Sequence, residues 1–259
     1  MARGLARASS QNLTPAGLSN YSTQVSIGMW FRPASAPGSG VYMTHFAKGV
    51  SGNAEQRNVG CDYRDSGSGD WLEIYWTVAQ GTYIEYRTTS TVSLTNGTWY
   101  HLLWVVDWAT NPDTVVLYLD GVSQALTNAG GTDTVPQTAG TQVARIGSLH
   151  QDSSYLDGDL AEFFICTNAL TAAEATLLSR GFSPLFLGSR TFDAYYPLIG
   201  RASPEIDRKL GNTATVTGAT AAAHPRIYHP SAPFAPYRTV VAGGATWPGW
   251  LHSRGGWTT

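Results

Sequence analysis

Five aromatic side chains, Trp71, Tyr75, Trp76, Tyr83 and Tyr86, crowd the neighbouring stretches DWLEIYWTV and TYIEYRTT. Flat rings of this kind suit two jobs: stacking on a sugar, or filling a core or a protein interface, where Tyr and Trp dominate. A second stretch, TWYHLLWVVDWATNPDTVVLYLDG over 98–121, mixes Trp99, Tyr100, Trp104, Trp108 and Tyr118 with Asp107 and Asp120. Aromatics beside carboxylates serve sugar binding and sugar cleavage, and they also occur in the middle of an ordinary β-sandwich. In this second stretch the local pattern favours scaffold. The Asp-Gly of LDG makes a tight turn, because Gly takes positive φ cheaply and Asp tolerates such turns, so Asp120 is read as a turn former. His101, inside an apolar run, is read as a structural histidine.

The remaining chemistry is sparse. The only E-x-D triplet is Glu205-Ile206-Asp207, followed by Arg208, Lys209 and Leu210; it is read as a loop. Glu73 and Glu85 each stand alone in an aromatic strand. A nucleophile elbow, a zinc-protease helix, a phosphate-binding loop and a dinucleotide fingerprint are all missing. No catalytic residue is assigned and no enzyme is expected. Cys61 and Cys166 lie far apart without zinc-type spacing, which predicts two buried free thiols.

These residues must be positioned by β structure. Charged residues make up 13% of the 259, against about 25% in a typical domain, while aromatics reach 12% and glycines number 28. A net charge of -2 gives no general pull toward nucleic acid or membrane. The sparse charge hints at surface covered by partners. No run approaches 18 apolar residues, and MARGLARASSQNL lacks the apolar stretch of a signal peptide, so neither a membrane span nor an export signal is expected. Strand signals recur at 22–31, 41–49, 70–78, 82–89, 91–97, 99–107, 114–120, 142–148 and 156–170, separated by Gly, Asn, Ser and Pro turns, with a further strand at 191–200. In VVLYLDG both faces are apolar, which predicts a central strand covered on both sides. LTAAEATLLSRG predicts one helix of about three turns: Thr171 as N-cap, Glu174 completing a capping box, Leu177 and Leu178 as apolar face, Gly181 at the left-handed end.

From His224 the chain is rich in proline, at 225, 230, 233, 236 and 248, and carries no carboxylate after Asp207. It is read as an extended arm. The predicted organisation is a β-sandwich over 1–200 and a Pro/Gly-rich arm over 201–259. Ordering each residue costs roughly 1–2 kcal/mol of backbone entropy, so an ordered arm would need extensive contacts. His224, Arg226, Tyr228, Phe234, Tyr237, Trp247, Trp250 and Trp257 are the candidate assembly contacts.

Specific combinations of residues carry a family resemblance. VSIGMWFRP (25–33) resembles the early T-I-S-x-W strand of laminin-G-like, concanavalin A-like domains. TWYHLLWVVD with VVLYLDG resembles their W-x-H-[VL] and Y-[VL]-D-G strands. ARIGS and LDGDLAEFFICTNALTAAEATLLSRG resemble the closing signature, helix included. The resemblance covers about residues 8–186. It implies an all-β fold: a two-sheet jelly-roll sandwich with one short helix, followed here by the extended C-terminal arm. Retaining glycosidases of this fold carry E-x-D-x-E along one strand, and the third carboxylate is missing here. Calcium is common in the family, with Asp152, Asp157 and Asp159 as the nearest oxygen ligands. That region reads mainly as a turn, and calcium wants about six to eight oxygens, so no cofactor is expected.

The later stretch from Asp193 to Pro230 is similar to the tail of laminin-G-like proteins encoded by tailed bacteriophages. That similarity implies a non-enzymatic virion structural protein, expected as a capsid decoration or head-associated protein docked through its arm. Its expected partners are other virion proteins, major capsid or tail, and further copies of itself as a homo-oligomer. It would be assembled in the host cytoplasm and would reside in the virion. The alternative expectation is a glycan-binding adhesin module on a phage tail, or a cellular carbohydrate-binding lectin, with the 71–86 aromatics as the sugar site.

Overall fold

The computed structural model describes residues 2–51, 53, 56–79, 82–110, 113–131, 135–136, 138, 140–200 and 203–230. Phe234, Tyr237, Trp247, Trp250 and Trp257 lie outside the described residues. In chain order the strands are β1 (Ala2–Leu5), β2 (Asn12–Pro15), β3 (Gln24–Pro33), β4 (Tyr42–Val50), β5 (Arg57–Asp65), β6 (Asp70–Ala79), β7 (Thr82–Thr88), β8 (Tyr100–Asp107), β9 (Thr114–Leu119), β10 (Val122–Gln124), β11 (Leu126–Gly130), β12 (Gln142–Ile146), β13 (Gly158–Cys166), β14 (Phe192–Tyr196), β15 (Glu205–Ile206), β16 (Thr213–Thr217) and β17 (Thr220–Ala222). One helix, α1 (Ala172–Ser179), stands between β13 and β14.

The strands form two antiparallel sheets. One runs β10-β9-β8-β3-β13-β1-β17, with β14 also paired to β13; the longer runs β11-β7-β6-β5-β4-β12-β2-β16-β15. Alternate residues point to opposite faces of a strand, and the apolar alternates meet between the sheets. Val25, Ile27, Met29 and Phe31 of β3 and Leu102, Trp104 and Val106 of β8 face Val59, Cys61 and Tyr63 of β5 and Leu72, Ile74 and Trp76 of β6 in one buried core. A smaller core lies on the other face of the first sheet. There Leu103, Val105, Phe164 and Tyr195 pack with Ala175 and Leu178 of α1.

The helix forms as its termini predict. Thr171 accepts from the Glu174 N–H, and the Glu174 carboxylate accepts from the Thr171 N–H, so both reciprocal bonds of the capping box are made. Gly181 takes φ +85°. The helix spans eight residues, shorter than three turns. VVLYL is covered on both faces, Val115 and Leu119 by the main core and Val116 and Tyr118 by the α1 layer. It is not central, however, having only β10 outside it. Asp120, at φ 50°, turns the chain with Gly121 and accepts from the His101 N–H at 2.7 Å. His101 is buried, and burial pushes its imidazole down to about 3. Cys61 and Cys166 are free and buried.

Residues 91–97 form no strand; they loop over the sandwich with Leu94 as a plug in the core. The sandwich also does not stop at residue 200. β16 pairs with β2 and β17 with β1, so the chain returns to close both sheets beside its own N-terminus. Glu205, read as part of a loop, lies in β15 and is buried with Arg3 at 2.7 Å. The first three candidate assembly contacts also turn to the domain itself. His224 Nε2 lies 3.2 Å from Pro197 O and 3.4 Å from Glu162 Oε1. The Tyr228 N–H donates to Gly181 O at 2.7 Å, and the Arg226 guanidinium covers the Tyr228 ring.

Glycine at position 28 lets the Phe164 ring lie flat across β3. A Cβ there would meet that ring at 2.2 Å. Gly28→Ala is expected to destabilise the fold by about 1–3 kcal/mol through overpacking, read as a lowered denaturation midpoint at unchanged m-value.

Candidate functional site

The outer face of the longer sheet carries a constellation of charged and aromatic side chains. Cross-strand register builds it. Asp62 of β5 pairs with Glu73 of β6, Arg64 with Trp71, and Gly60 with Tyr75. On the other side of β6, Tyr75 pairs with Glu85 and Thr77 with Tyr83 of β7. The outward alternates of β4 to β7 thereby line a cleft of about 360 Å³, walled by Tyr42, Arg57, Asp62, Arg64, Glu73, Tyr75, Tyr83 and Glu85, with Leu149 and Ser154 at one side. Gly60 makes room for one of the rings: a Cβ there would stand 2.4 Å from the Tyr75 ring.

Charges and rings interlock in the cleft. Arg64 lies 3.0 Å from Glu73 Oε2 and 3.3 Å from Glu85 Oε1, and its guanidinium sits over the Tyr42 ring at 5.2 Å. Arg57 lies over both Tyr75, at 4.8 Å, and Tyr83, at 5.1 Å. Tyr75 Oη donates to Asp62 Oδ1 at 3.2 Å. Asp62 is 2% and Glu73 1% exposed. Burial pushes the Asp62 carboxyl up to about 6, opposed by Arg57 and Arg64. Burial raises Glu73 as well, reinforced by the charges of Asp62 and Glu85 and opposed by Arg64. Two neighbouring carboxyls in a poorly solvated floor resist ionising together.

The five aromatics singled out from the sequence split between the two faces of the sheet. Tyr75 and Tyr83 line the cleft. Trp71 is on the same outward alternation, under Arg87 at 5.1 Å, with its indole N–H on Ser66. Trp76 and Tyr86 point inward: Trp76 is fully buried, stacked on Tyr86 at 5.9 Å and edge-on to Trp108 at 5.4 Å. A strand of period two cannot offer consecutive residues to one face, so Tyr75 and Trp76 part company.

The carboxylate cluster escaped the sequence reading because it is assembled across three strands. Glu73 and Glu85 do stand alone along the chain, and β5 was not recognised as a strand. Its signal was there: Val59, Cys61 and Tyr63 alternate with Gly60, Asp62 and Arg64, an apolar-in, polar-out pattern obscured by a glycine and flanking charges.

Residues 7–176, more than half of the chain, match the family described as the concanavalin A-like lectin/glucanases superfamily. The chain belongs to this family. Solved structures of similar fold include a candidate carbohydrate-binding protein of Bacteroides ovatus, with a TM-score of 0.60 and 18% identity over 88% of this chain; the match spans 61% of that protein's length. The carbohydrate-binding module of a Ruminococcus gnavus sialidase, solved with α2,3-sialyllactose, matches at a TM-score of 0.50 and 10% identity over 69% of this chain and 97% of the module. No curated protein matches the chain.

As a concanavalin A-like domain the chain invites a test for calcium. The three acidic candidates do not converge on one site. Asp152 takes both Nε and Nη2 of Arg145, at 2.8 and 3.1 Å. Asp157 takes the Ser35 hydroxyl at 2.7 Å, and Asp159 pairs with Arg32. No group of three His, Cys, Asp or Glu is set to hold a metal among the described residues. The donor set does not fit calcium.

Two outcomes follow. Trp76→Ala should cost about 3–5 kcal/mol of stability, the penalty for emptying a buried aromatic site, whereas Tyr83→Ala should leave the denaturation midpoint nearly unchanged. Asp62 has its proton held more tightly in the folded chain than in the unfolded one, so its ionisation costs stability as pH rises through about 6. Asp62→Asn should therefore gain stability over the parent at pH 8, with the advantage shrinking as pH falls from about 6 and lost only near the ordinary carboxylate value of 3.8. The comparison with the parent is essential, because His45 and His101, both pushed down to about 3 by burial, weaken the fold on acidification.

Proposed function

We propose that the chain is a non-enzymatic carbohydrate-binding domain whose ligand occupies the cleft on the outer face of β4 to β7. One observation carries the reading: rings, guanidiniums and carboxyls alternate within a single open groove. A saccharide needs flat apolar surface for its C–H faces and fixed donors and acceptors for its hydroxyls. Tyr42 and Tyr83 supply the surface, with Tyr75 buried beneath Arg57 as its floor; Arg57, Arg64 and the three carboxyls supply the polar groups. The two structural neighbours, a candidate carbohydrate-binding protein and a carbohydrate-binding module, lend support at the level of fold. Binding rather than cleavage is favoured because Glu73 and Glu85 share one arginine and Asp62 is engaged by Tyr75. A retaining pair needs an acid and a nucleophile about 5–5.5 Å apart facing one glycosidic bond.

The expected role of virion decoration rests on the arm, whose anchors Phe234 to Trp257 lie outside the described residues. The sugar-binding alternative rests on residues the structure describes, so it becomes the main reading.

A glycan array probed with the whole chain, followed by calorimetry on the strongest hit, tests the proposal. Binding should occur, and Tyr83→Ala should weaken it at least about tenfold, or 1.4 kcal/mol, without unfolding the protein. An array with no signal would end the reading. Release of reducing ends from a bound oligosaccharide would make the domain an enzyme instead.

A further inference from the structure

The cleft is unevenly supplied. Its lining holds three carboxyls, Asp62, Glu73 and Glu85, against two guanidiniums, Arg57 and Arg64. Both cations are already engaged. Arg57 lies over the Tyr75 and Tyr83 rings, and Arg64 is divided among Glu73, Glu85 and Tyr42. Arg87 stands opposite Glu73 in the register, but its guanidinium lies over Trp71. Glu73 Oε2, fully buried, sits 3.0 Å from Arg64 Nε but off the N–H direction, so neither atom completes a hydrogen bond. Thus the groove presents a carboxyl oxygen without a completed hydrogen bond and one carboxyl more than it has guanidiniums, beside three tyrosine rings; Asp62 and Glu73 resist ionising together until a further positive charge joins them.

A ligand complementary to this surface is a donor that carries positive charge. A bare divalent cation does not suit it. Such an ion needs about six to eight oxygens, and here the Arg64 guanidinium stands among the carboxyls. An anionic sugar would meet the carboxyl excess and find both arginines occupied. A neutral sugar would satisfy acceptors but bring no charge that lets Asp62 and Glu73 ionise together. An ammonium group has three donors and no acceptor, and it is also attracted to tyrosine faces.

Building on the carbohydrate-binding reading, we propose that the cleft selects saccharides bearing a free, protonated amine, such as de-N-acetylated hexosamine units, with the ammonium seated against the Asp62, Glu73 and Glu85 carboxyls beside Tyr75 and Tyr83. Hydrogen bonds to charged partners contribute more than neutral ones, so N-acetylation, which removes the charge and two donors, should be felt strongly.

The test is calorimetric titration of the full chain near neutral pH with a glucosamine trisaccharide and with its fully N-acetylated counterpart. The amine form should bind at least about tenfold tighter, and the preference should shrink as salt is raised. Glu85→Gln, at a partly exposed position, should erase most of the preference while thermal unfolding stays at the parental midpoint. Equal or tighter binding of the acetylated sugar would overturn the inference and leave the carbohydrate-binding reading standing. So would an amine preference that survives Glu85→Gln and the double change Asp62→Asn/Glu85→Gln. If neither trisaccharide binds while a neutral or acidic glycan does, the inference again fails alone. If nothing on the array binds either, both readings fall together.

Discussion

A strand buried on one face and open on the other must divide its residues between two tasks, and β6 shows how much depends on that division. Leu72, Ile74 and Trp76 enter the core, while Glu73 and Tyr75 enter the cleft. Neither set can shift without the other. A slip of one residue would drive a carboxylate and a phenol into the sandwich and expose an indole. The stacked pair of Trp76 and Tyr86, braced by Trp108, fixes β6 against β7 from inside. That in turn holds Tyr75 opposite Glu85, and Thr77 opposite Tyr83, on the outside. The core thus sets the spacing of the site.

The rest of the fold secures this register by tying distant parts of the chain together. Arg3 of β1 in one sheet and Glu205 of β15 in the other form a buried ion pair. Such pairs contribute little net stability but are costly to break singly, which suits a device that fixes where β17 and β15 return. A second tie lies at Glu162, where β13 changes neighbour from β1 to β14 across a bulge. Glu162 takes φ 54°, a conformation that costs a non-glycine residue about 1–3 kcal/mol. Its carboxylate accepts from Tyr195 Oη at 2.6 Å and faces His224. The bulge therefore joins β14 and the segment after β17 to the middle of the sheet.

The cleft works against this economy. Asp62 and Glu73 are buried beside each other, and burial of carboxyls penalises their charged forms. A purely structural sheet would place apolar or fully paired residues there. Fixed donors and acceptors held in a partly dry groove are costly to fold but need little rearrangement on binding, and preorganisation of that kind raises affinity by lowering the cost of association. On the outer face of β5 to β7 this conflict between stability and local chemistry coincides with the gathering of the rings.

Local rules written in the sequence determined the class of fold, the helix with its capping box, the Asp120–Gly121 turn, the buried thiols and the structural role of His101. Each depends on residues within a few positions of one another or on composition. The aromatics of 71–86 were visible as a group, yet their sorting into Trp76 and Tyr86 inside and Trp71, Tyr75 and Tyr83 outside required knowing which face of the sheet was covered. The joining of Asp62, Glu73 and Glu85 lay further out of reach, because strand register brings together residues that are separate along the chain. The same holds for Glu205 beside Arg3 and for the partners of the strands beyond residue 200: GNTATVTGATAAA could be read as flexible or as a last small strand, but not as pairing with β1 and β2. Antiparallel pairing depends on long-range partners, and no local pattern around residue 205 names residue 3. Sequence periodicity settled which residues share a face of a strand; only tertiary packing decided which face became core, and which residues of different strands meet on the other.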